Sequence, residues 1–215
     1  MSHPVSVKKT TNFQPRTPED SPRRSVSRPL TGVAFPTDLG WMALQGTTRG
    51  LRRLRFGLRG MREARLELPN VVDPLIYTQT SECLDCRTAG ELAARGDWWL
   101  GAVQLLIRYA SGEPVPITRI PVDLVGMTPF MLAVIRACRD IPRGQVETYG
   151  DLARAVNHPG AARAVGTVMA KNQIPLVIPC HRVIGHKGLQ GYSAPGGLAT
   201  KMRLLQLEGV TLPLE

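Results

Sequence analysis

The chain has 215 residues, 43% of them hydrophobic and 20% charged, which is enough apolar material for one good core or for two small domains sharing an interface. No apolar run approaches the roughly 20 residues that a membrane-crossing helix needs, and Met1-Ser2-His3-Pro4 has none of the apolar character of a secretory signal, so the expectation is a cytoplasmic protein. The formal net charge is +10, from 27 Lys+Arg against 17 Asp+Glu, which makes a polyanion a candidate partner.

That charge is uneven. Residues 1–70 hold 13 basic and 5 acidic groups, residues 71–126 hold 4 and 7, and residues 127–215 hold 10 and 5. The middle of the chain is therefore not the polyanion-binding part. A basic tail on a solvated surface would give the same balance, so charge alone does not choose a partner. The four cysteines, Cys83, Cys86, Cys138 and Cys180, suit a reducing compartment at least as well as a disulfide framework.

Residues 1–30 carry five prolines among Ser, Thr and six basic residues. Such a stretch buries too little apolar surface to offset its ordering entropy, and it reads as a disordered basic arm. Order is expected from Thr31. Gly32 to Phe35, a turn over Pro36–Gly40, and Trp41 to Leu44 read as a hairpin. Leu51-Arg52-Arg53-Leu54-Arg55-Phe56 reads as a strand with one wet, basic face. Residues 88–110 hold a helical pattern, and Ile117 to Val122 reads as a short extended segment interrupted by Pro121. Residues 31–122 thus predict a small N-terminal domain mixing strands and helix. Cys83-Leu84-Asp85-Cys86 has CxxC spacing, but a structural zinc would need two further ligands, so these read as two ordinary thiols, with metal or redox use the minor alternative and no metal assigned. Trp98 and Trp99 read as packing residues.

From Pro129 the pattern turns helical. Phe130, Leu132, Val134, Ile135 and Cys138 predict a helix ending near Pro142-Arg143-Gly144, with Cys138 in the core. Thr148-Tyr149-Gly150-Asp151 has capping-box spacing ahead of a short helix, Leu152–Val156. Asn157-His158-Pro159-Gly160 breaks it, and a second helix runs from Ala161 to Ala170. Two short helices around a tight turn make a helix-turn-helix pattern, which many helical hairpins share without touching DNA. The fold class expected is α+β: an N-terminal domain over 31–122 and a mainly helical domain over 123–215.

Ile174-Pro175-Leu176-Val177-Ile178-Pro179 then delivers Cys180-His181-Arg182-Val183. A cysteine beside a histidine and an arginine sits in an electropositive setting that favours the thiolate, the reactive form. A bare Cys-His pair more often marks a buried structural thiol, so the flanking blocks decide. In order they are Thr128-Pro129-Phe130, Gly144 to Ala153, Ala161-Ala162-Arg163-Ala164-Val165-Gly166, Ile178 to Val183, Gly191-Tyr192-Ser193 with Gly196-Gly197-Leu198, and Leu207-Glu208-Gly209.

This collinear run, Thr128 to Gly209, resembles the O6-alkylguanine-DNA alkyltransferases, also called methylated-DNA–protein-cysteine methyltransferases. Ala194-Pro195 lengthens the loop after Ser193 relative to the family pattern, residues 31–122 resemble it only loosely, and 1–30 not at all.

The resemblance implies a single-turnover enzyme acting without a cofactor, as a monomer, on double-stranded DNA carrying O6-alkylguanine, with O4-alkylthymine left open. It implies Cys180 as alkyl acceptor, His181 as the base reached through water, Glu208 as its orienter and Asn172 as the support of the turn beneath. It implies Tyr149 as proton donor to the leaving guanine, and Tyr192, Ser193 and the carbonyls of Cys180 and Val183 as the substrate pocket. Arg163 would fill the stack vacated by a flipped base, with the small Ala161 and Ala162 letting the helix lie close in a minor groove. Two alternatives stand beside this reading. Lesion sensors that resemble the family lack the cysteine, which is present here; a cysteine-switched transcription regulator would need a metal-binding domain that the 1–30 arm is too short to supply.

Overall fold

The computed structural model describes residues 31–72, 98–186 and 188–210. The N-terminal arm, the Cys83/Cys86 pair and positions 88–97 of the expected helix lie outside them.

The hairpin forms where alternation and the Pro-Thr-Asp-Leu-Gly turn place it. β1 (Thr31–Phe35) pairs antiparallel with β2 (Trp41–Thr47), Val33 opposite Leu44. β3 (Gly50–Leu58) continues the sheet, burying Leu51, Leu54 and Phe56 while Arg53 stays exposed. Two elements of the N-terminal sheet region were not foreseen. α1 (Met61–Glu67) packs Ala64 against Ala34, Ala43 and Leu58 in a small second cluster. β4 (Val71–Val72) pairs parallel with β1 and sets the order β3-β2-β1-β4.

α2 (Trp98–Ala110) covers the sheet with Trp98, Val103, Leu106 and Tyr109 buried. Trp98 stacks on Trp99 at 3.9 Å, and its Nε1 donates to the Thr47 carbonyl at 2.9 Å. The approach requires glycine at Gly46, where a Cβ would stand 2.7 Å from the Trp98 ring and 2.4 Å from the Gly50 oxygen. The extended segment expected over Ile117–Val122 is not a strand. Residues Ile117–Arg119 form one 3-10 turn, and only Val122 reaches the sheet, as a single bridge to Leu51. Pro116 and Pro121 are the cause, since proline cannot donate to a ladder; Pro121 instead accepts from Leu51 N at 2.9 Å.

α3 (Pro129–Asp140) starts with Thr128 as cap and Pro129 in the first turn, and it buries Val134, Ile135 and Cys138. The next helix begins three residues before Leu152. Thr148 Oγ1 accepts from Asp151 N at 3.1 Å and Asp151 Oδ2 accepts from Thr148 N at 2.9 Å, a reciprocal box that starts α4 at Tyr149 (Tyr149–Ala155). The turn after it runs through Asn157 at φ 60, a left-handed conformation that asparagine tolerates. α5 (Ala162–Ala170) follows; β5 (Glu147–Thr148) and β6 (Val183–Ile184) pair in parallel, and α6 (Gly197–Leu207) closes the described chain.

The fold is α+β. One contiguous core runs from Val33 in β1 to Leu204 in α6. The sheet edge also holds the segment leading to Cys180, because Leu54 N donates to the Gln173 carbonyl at 2.8 Å and Arg55 Nη2 to Gln173 Oε1 at 2.8 Å. Among the described residues no helix is long and apolar enough to cross a membrane.

Candidate active site

The approach to Cys180 is fully apolar: Ile174, Leu176, Val177 and Ile178 are each at most 1% exposed. Leu176 is held at φ 69, a conformation that costs a non-glycine residue about 1–3 kcal/mol and persists only when its surroundings fix it. Asn172 does much of the fixing. Its Oδ1 accepts from Ile174 N at 2.9 Å, and its Nδ2 donates to the Ile178 carbonyl at 2.8 Å and to Cys180 Sγ at 3.1 Å. The same side chain therefore closes the turn and touches the sulfur.

Cys180 opens a 3-10 turn, Cys180–Arg182, and is 5% exposed. It forms part of the wall of a cavity of about 250 Å³ that also involves Asn172, Pro175, Tyr192 and Ser193, with Arg55 and Phe56 contributed by β3. Burial pushes the thiol pKa up; the Asn172 amide, the Lys201 charge and the Tyr192 hydroxyl pull it back. Among the described residues the buried Tyr192 hydroxyl has no nitrogen or oxygen partner, and the group it acts on is the Cys180 sulfur.

Behind the cysteine, His181 Nε2 lies 2.9 Å from Glu208 Oε1, both side chains fully buried. Arg182 clamps the same carboxylate in bidentate fashion, Nε to Oε2 and Nη2 to Oε1, each at 2.8 Å. Tyr109 Oη donates to Glu208 Oε1 at 2.6 Å. Burial opposes the charge on Glu208, yet the bonds from His181 and Arg182 hold its carboxyl far below the usual range. Burial drives the His181 pKa down, although Glu208 pulls the other way. The imidazole is thus neutral. An ionised carboxylate only accepts, so Nε2 carries the proton and Nδ1, buried and unpartnered among the described residues, is the basic nitrogen.

The opposite rim is open. Tyr149, Arg154, Ala162, Arg163 and His186 line a groove of about 830 Å³. Arg163 is exposed, Ala161 and Ala162 are half-buried, and Tyr149 is half-buried against the core that holds Cys180. Burial, then the nearby Cys180, raise the Tyr149 pKa, so its hydroxyl keeps its proton at neutral pH. His158 is exposed, with its ring edge-on to Phe130 at 5.2 Å.

A known domain family, the DNA-binding domain of 6-O-methylguanine DNA methyltransferase, matches residues 129–210. A methylated-DNA–protein-cysteine methyltransferase of Sulfurisphaera tokodaii is 39% identical over 125 residues, 58% of this chain and 77% of that protein. The chain belongs to the methylated-DNA–protein-cysteine methyltransferase family. Its counterpart in Mycobacterium leprae is 46% identical over 108 residues, 50% of this chain and 63% of that one, so the chain spans about three-fifths of the length of such curated relatives. Among solved structures, that of Mycobacterium tuberculosis OGT in complex with DNA superposes with a TM-score of 0.59 at 30% identity, covering 83% of this chain and 93% of the other.

Within this methyltransferase fold, Cys180, Asn172, Tyr192 and Ser193 meet at the cavity, while His181 and Glu208 form the buried pair beside it. Tyr149, Ala162 and Arg163 share the open groove. Three features depart from the sequence reading. Arg182 turns to Glu208 rather than charging the cysteine. The positive charge acting on the sulfur comes from Lys201, which is fully buried, donates to the carbonyls of Val183 at 2.7 Å and Gln190 at 3.1 Å, and has its pKa pulled down by burial to about 8. The Val183 carbonyl is therefore already an acceptor, with one lone pair left for a base. Tyr109 was missed altogether; as one more large residue on an amphipathic helix it carries no local signal. Among the described residues no cluster of His, Cys, Asp or Glu could hold a metal ion.

Proposed function

We propose that this protein repairs alkylated DNA by accepting the alkyl group itself. The substrate is double-stranded DNA carrying O6-alkylguanine, the acceptor is Cys180, and each chain acts once. The observation that carries the reading is the buried Cys180–Asn172 contact on a small cavity, backed by a buried His181–Glu208 hydrogen bond.

In the reaction the Cys180 sulfur attacks the alkyl carbon. An S–C bond forms as the C–O6 bond breaks, and the electron pair returns to guanine, which takes one proton from Tyr149; the proton lost by the thiol passes to His181 and from there, through solvent, restores Tyr149. His181 takes that proton at Nδ1 through a bridging water, and Glu208 stabilises the imidazolium that results. Tyr149, still protonated at neutral pH, donates to the ring nitrogen N3 as guanine leaves. The carbonyls of Cys180 and Val183 accept from the guanine amino group, Ser193 donates to O6, and Tyr192 walls the ring. A thioether resists hydrolysis, which makes the step irreversible and the protein stoichiometric.

A stacked base cannot reach a buried thiol, so the lesion must be rotated out at a cost of a few kcal/mol. Arg163, exposed at the groove, fills the gap it leaves, and Ala161 and Ala162 let α5 approach the minor groove. The same reading takes the protein as a monomer acting in the cytoplasm. The direct test is Cys180→Ala: it should bind lesion-bearing duplex as tightly as the parent and leave every lesion in place. Transfer by that variant would put the nucleophile elsewhere.

A further inference from the structure

Glu208 Oε1 is shared by three donors: His181 Nε2 at 2.9 Å, Arg182 Nη2 at 2.8 Å and Tyr109 Oη at 2.6 Å. Two of these come from the turn that carries Cys180. The third comes from α2, 99 positions earlier in the chain. Tyr109 is fully buried, and Arg143 lies over its ring at 5.5 Å. A phenylalanine would fill the same space. A hydroxyl placed there is costly unless it is bonded, and the described structure bonds it to the relay carboxylate.

We infer that Tyr109 is a positioning residue for alkyl transfer, one that ties the relay to the N-terminal half of the molecule by fixing Glu208 Oε1 as an acceptor. The inference rests on the reading of Cys180 as alkyl acceptor. A phenol has a single proton, and burial beside a carboxylate keeps it on Tyr109, so the hydroxyl donates. With Tyr109 and Arg182 both donating, Glu208 has no freedom to turn or to take up a proton. His181 must then present N–H at Nε2 and keep its lone pair at Nδ1. The donor also drains charge from Oε1, which limits how strongly Glu208 raises the proton affinity of His181. The other charged or titratable groups acting on this pair are Arg143 and Arg182, Lys201 from α6, and Cys180 with Tyr192 at the cavity.

The test compares Tyr109→Phe with a protein carrying 3-fluorotyrosine at position 109, in single-turnover transfer from O6-methylguanine duplex across about pH 5 to 9. Tyr109→Phe should bind the duplex normally and transfer about tenfold more slowly at neutral pH. The acidic limb of its rate profile should move to higher pH, because Glu208 with one donor fewer makes His181 the stronger base. The fluorinated phenol is a stronger donor and should move that limb to lower pH. A role in packing alone would leave the limb in place. Identical rates and limbs in parent and both variants would overturn the inference. If Tyr109→Phe fails to fold, the direction of the fluorotyrosine shift still decides. A parent protein that transfers nothing would sink the reading of Cys180 itself, and the inference with it.

Discussion

The relay and the groove are built in opposite ways. At the relay, Cys180, His181 and Glu208 are buried, and each carboxylate oxygen of Glu208 has at least one donor. At the groove, Arg163 is exposed and has no ion-pair partner among the described residues, and Tyr149 is half-buried. The contrast separates two demands. A reacting centre gains from groups fixed before substrate arrives, since oriented dipoles in a dry site need no reorganisation at the moment of reaction. A surface that receives a large polyanion gains from side chains left free to settle on it.

The sharpest way to break this comparison is Glu208→Gln. Arg182 would be left buried without its counter-ion, so the folded state should lose about 3–5 kcal/mol in denaturant titrations. Transfer should fall by about 10²-fold or more, because His181 loses the charge that stabilises its protonated form. Unchanged stability would mean that the clamp is decoration. On the groove side, Arg163→Ala should leave stability within about 0.5 kcal/mol of the parent. It should slow transfer from duplex by about tenfold while leaving transfer from the free O6-alkylguanine base untouched, since a free base needs no flipping. Equal slowing on both substrates would move Arg163 into the chemistry.

Acid should act on the relay carboxylate and base on the buried Lys201. The Glu208 carboxyl is held far below its unfolded value of about 4.3, so the unfolded chain takes up the proton first as pH drops. The stability that Glu208 contributes is complete above that value and is lost progressively below it. Lys201 works at the other end. Its folded pKa of about 8 lies below the ordinary 10.5, so between those values the unfolded chain holds a proton that the folded one has released, and stability rises with pH there. Denaturant titrations over both ranges check both slopes, and Lys201→Met should flatten the alkaline one. The smallest effect belongs to Cys138, buried in α3 with its thiol pushed well up by desolvation. Cys138→Ala should cost about 1 kcal/mol and leave transfer unchanged.

How much of this is legible in the sequence follows from how far apart the partners stand. The hairpin, α3 and the helix pair are readable because periodicity, Thr148-to-Asp151 capping and the Pro-Gly punctuation act within a few residues. The Cys180 block is readable because the residues of the turn are contiguous. Glu208 and Tyr149 could be singled out only through the resemblance of whole blocks. Tyr109 and Lys201 gave no signal at all: one reads as helix packing, the other as a surface lysine, and only the folded chain brings the first to Glu208 and the second to the Val183 carbonyl. Arg182 shows the reverse error, since adjacency to Cys180 suggested a charge on the sulfur while the backbone turn aims it at Glu208. The 3-10 turn over Ile117–Arg119 stands where a short extended segment was expected, because two prolines outweighed an apolar pattern.

The central claim is that the buried thiol, served by that fixed relay, is where the alkyl group ends. Incubating the protein with saturating duplex carrying O6-methylguanine and mapping its peptides by mass should find one added methyl, on the peptide containing Cys180, and no further uptake with time. An unmodified Cys180 under those conditions, or a methyl on any other residue, would contradict the account.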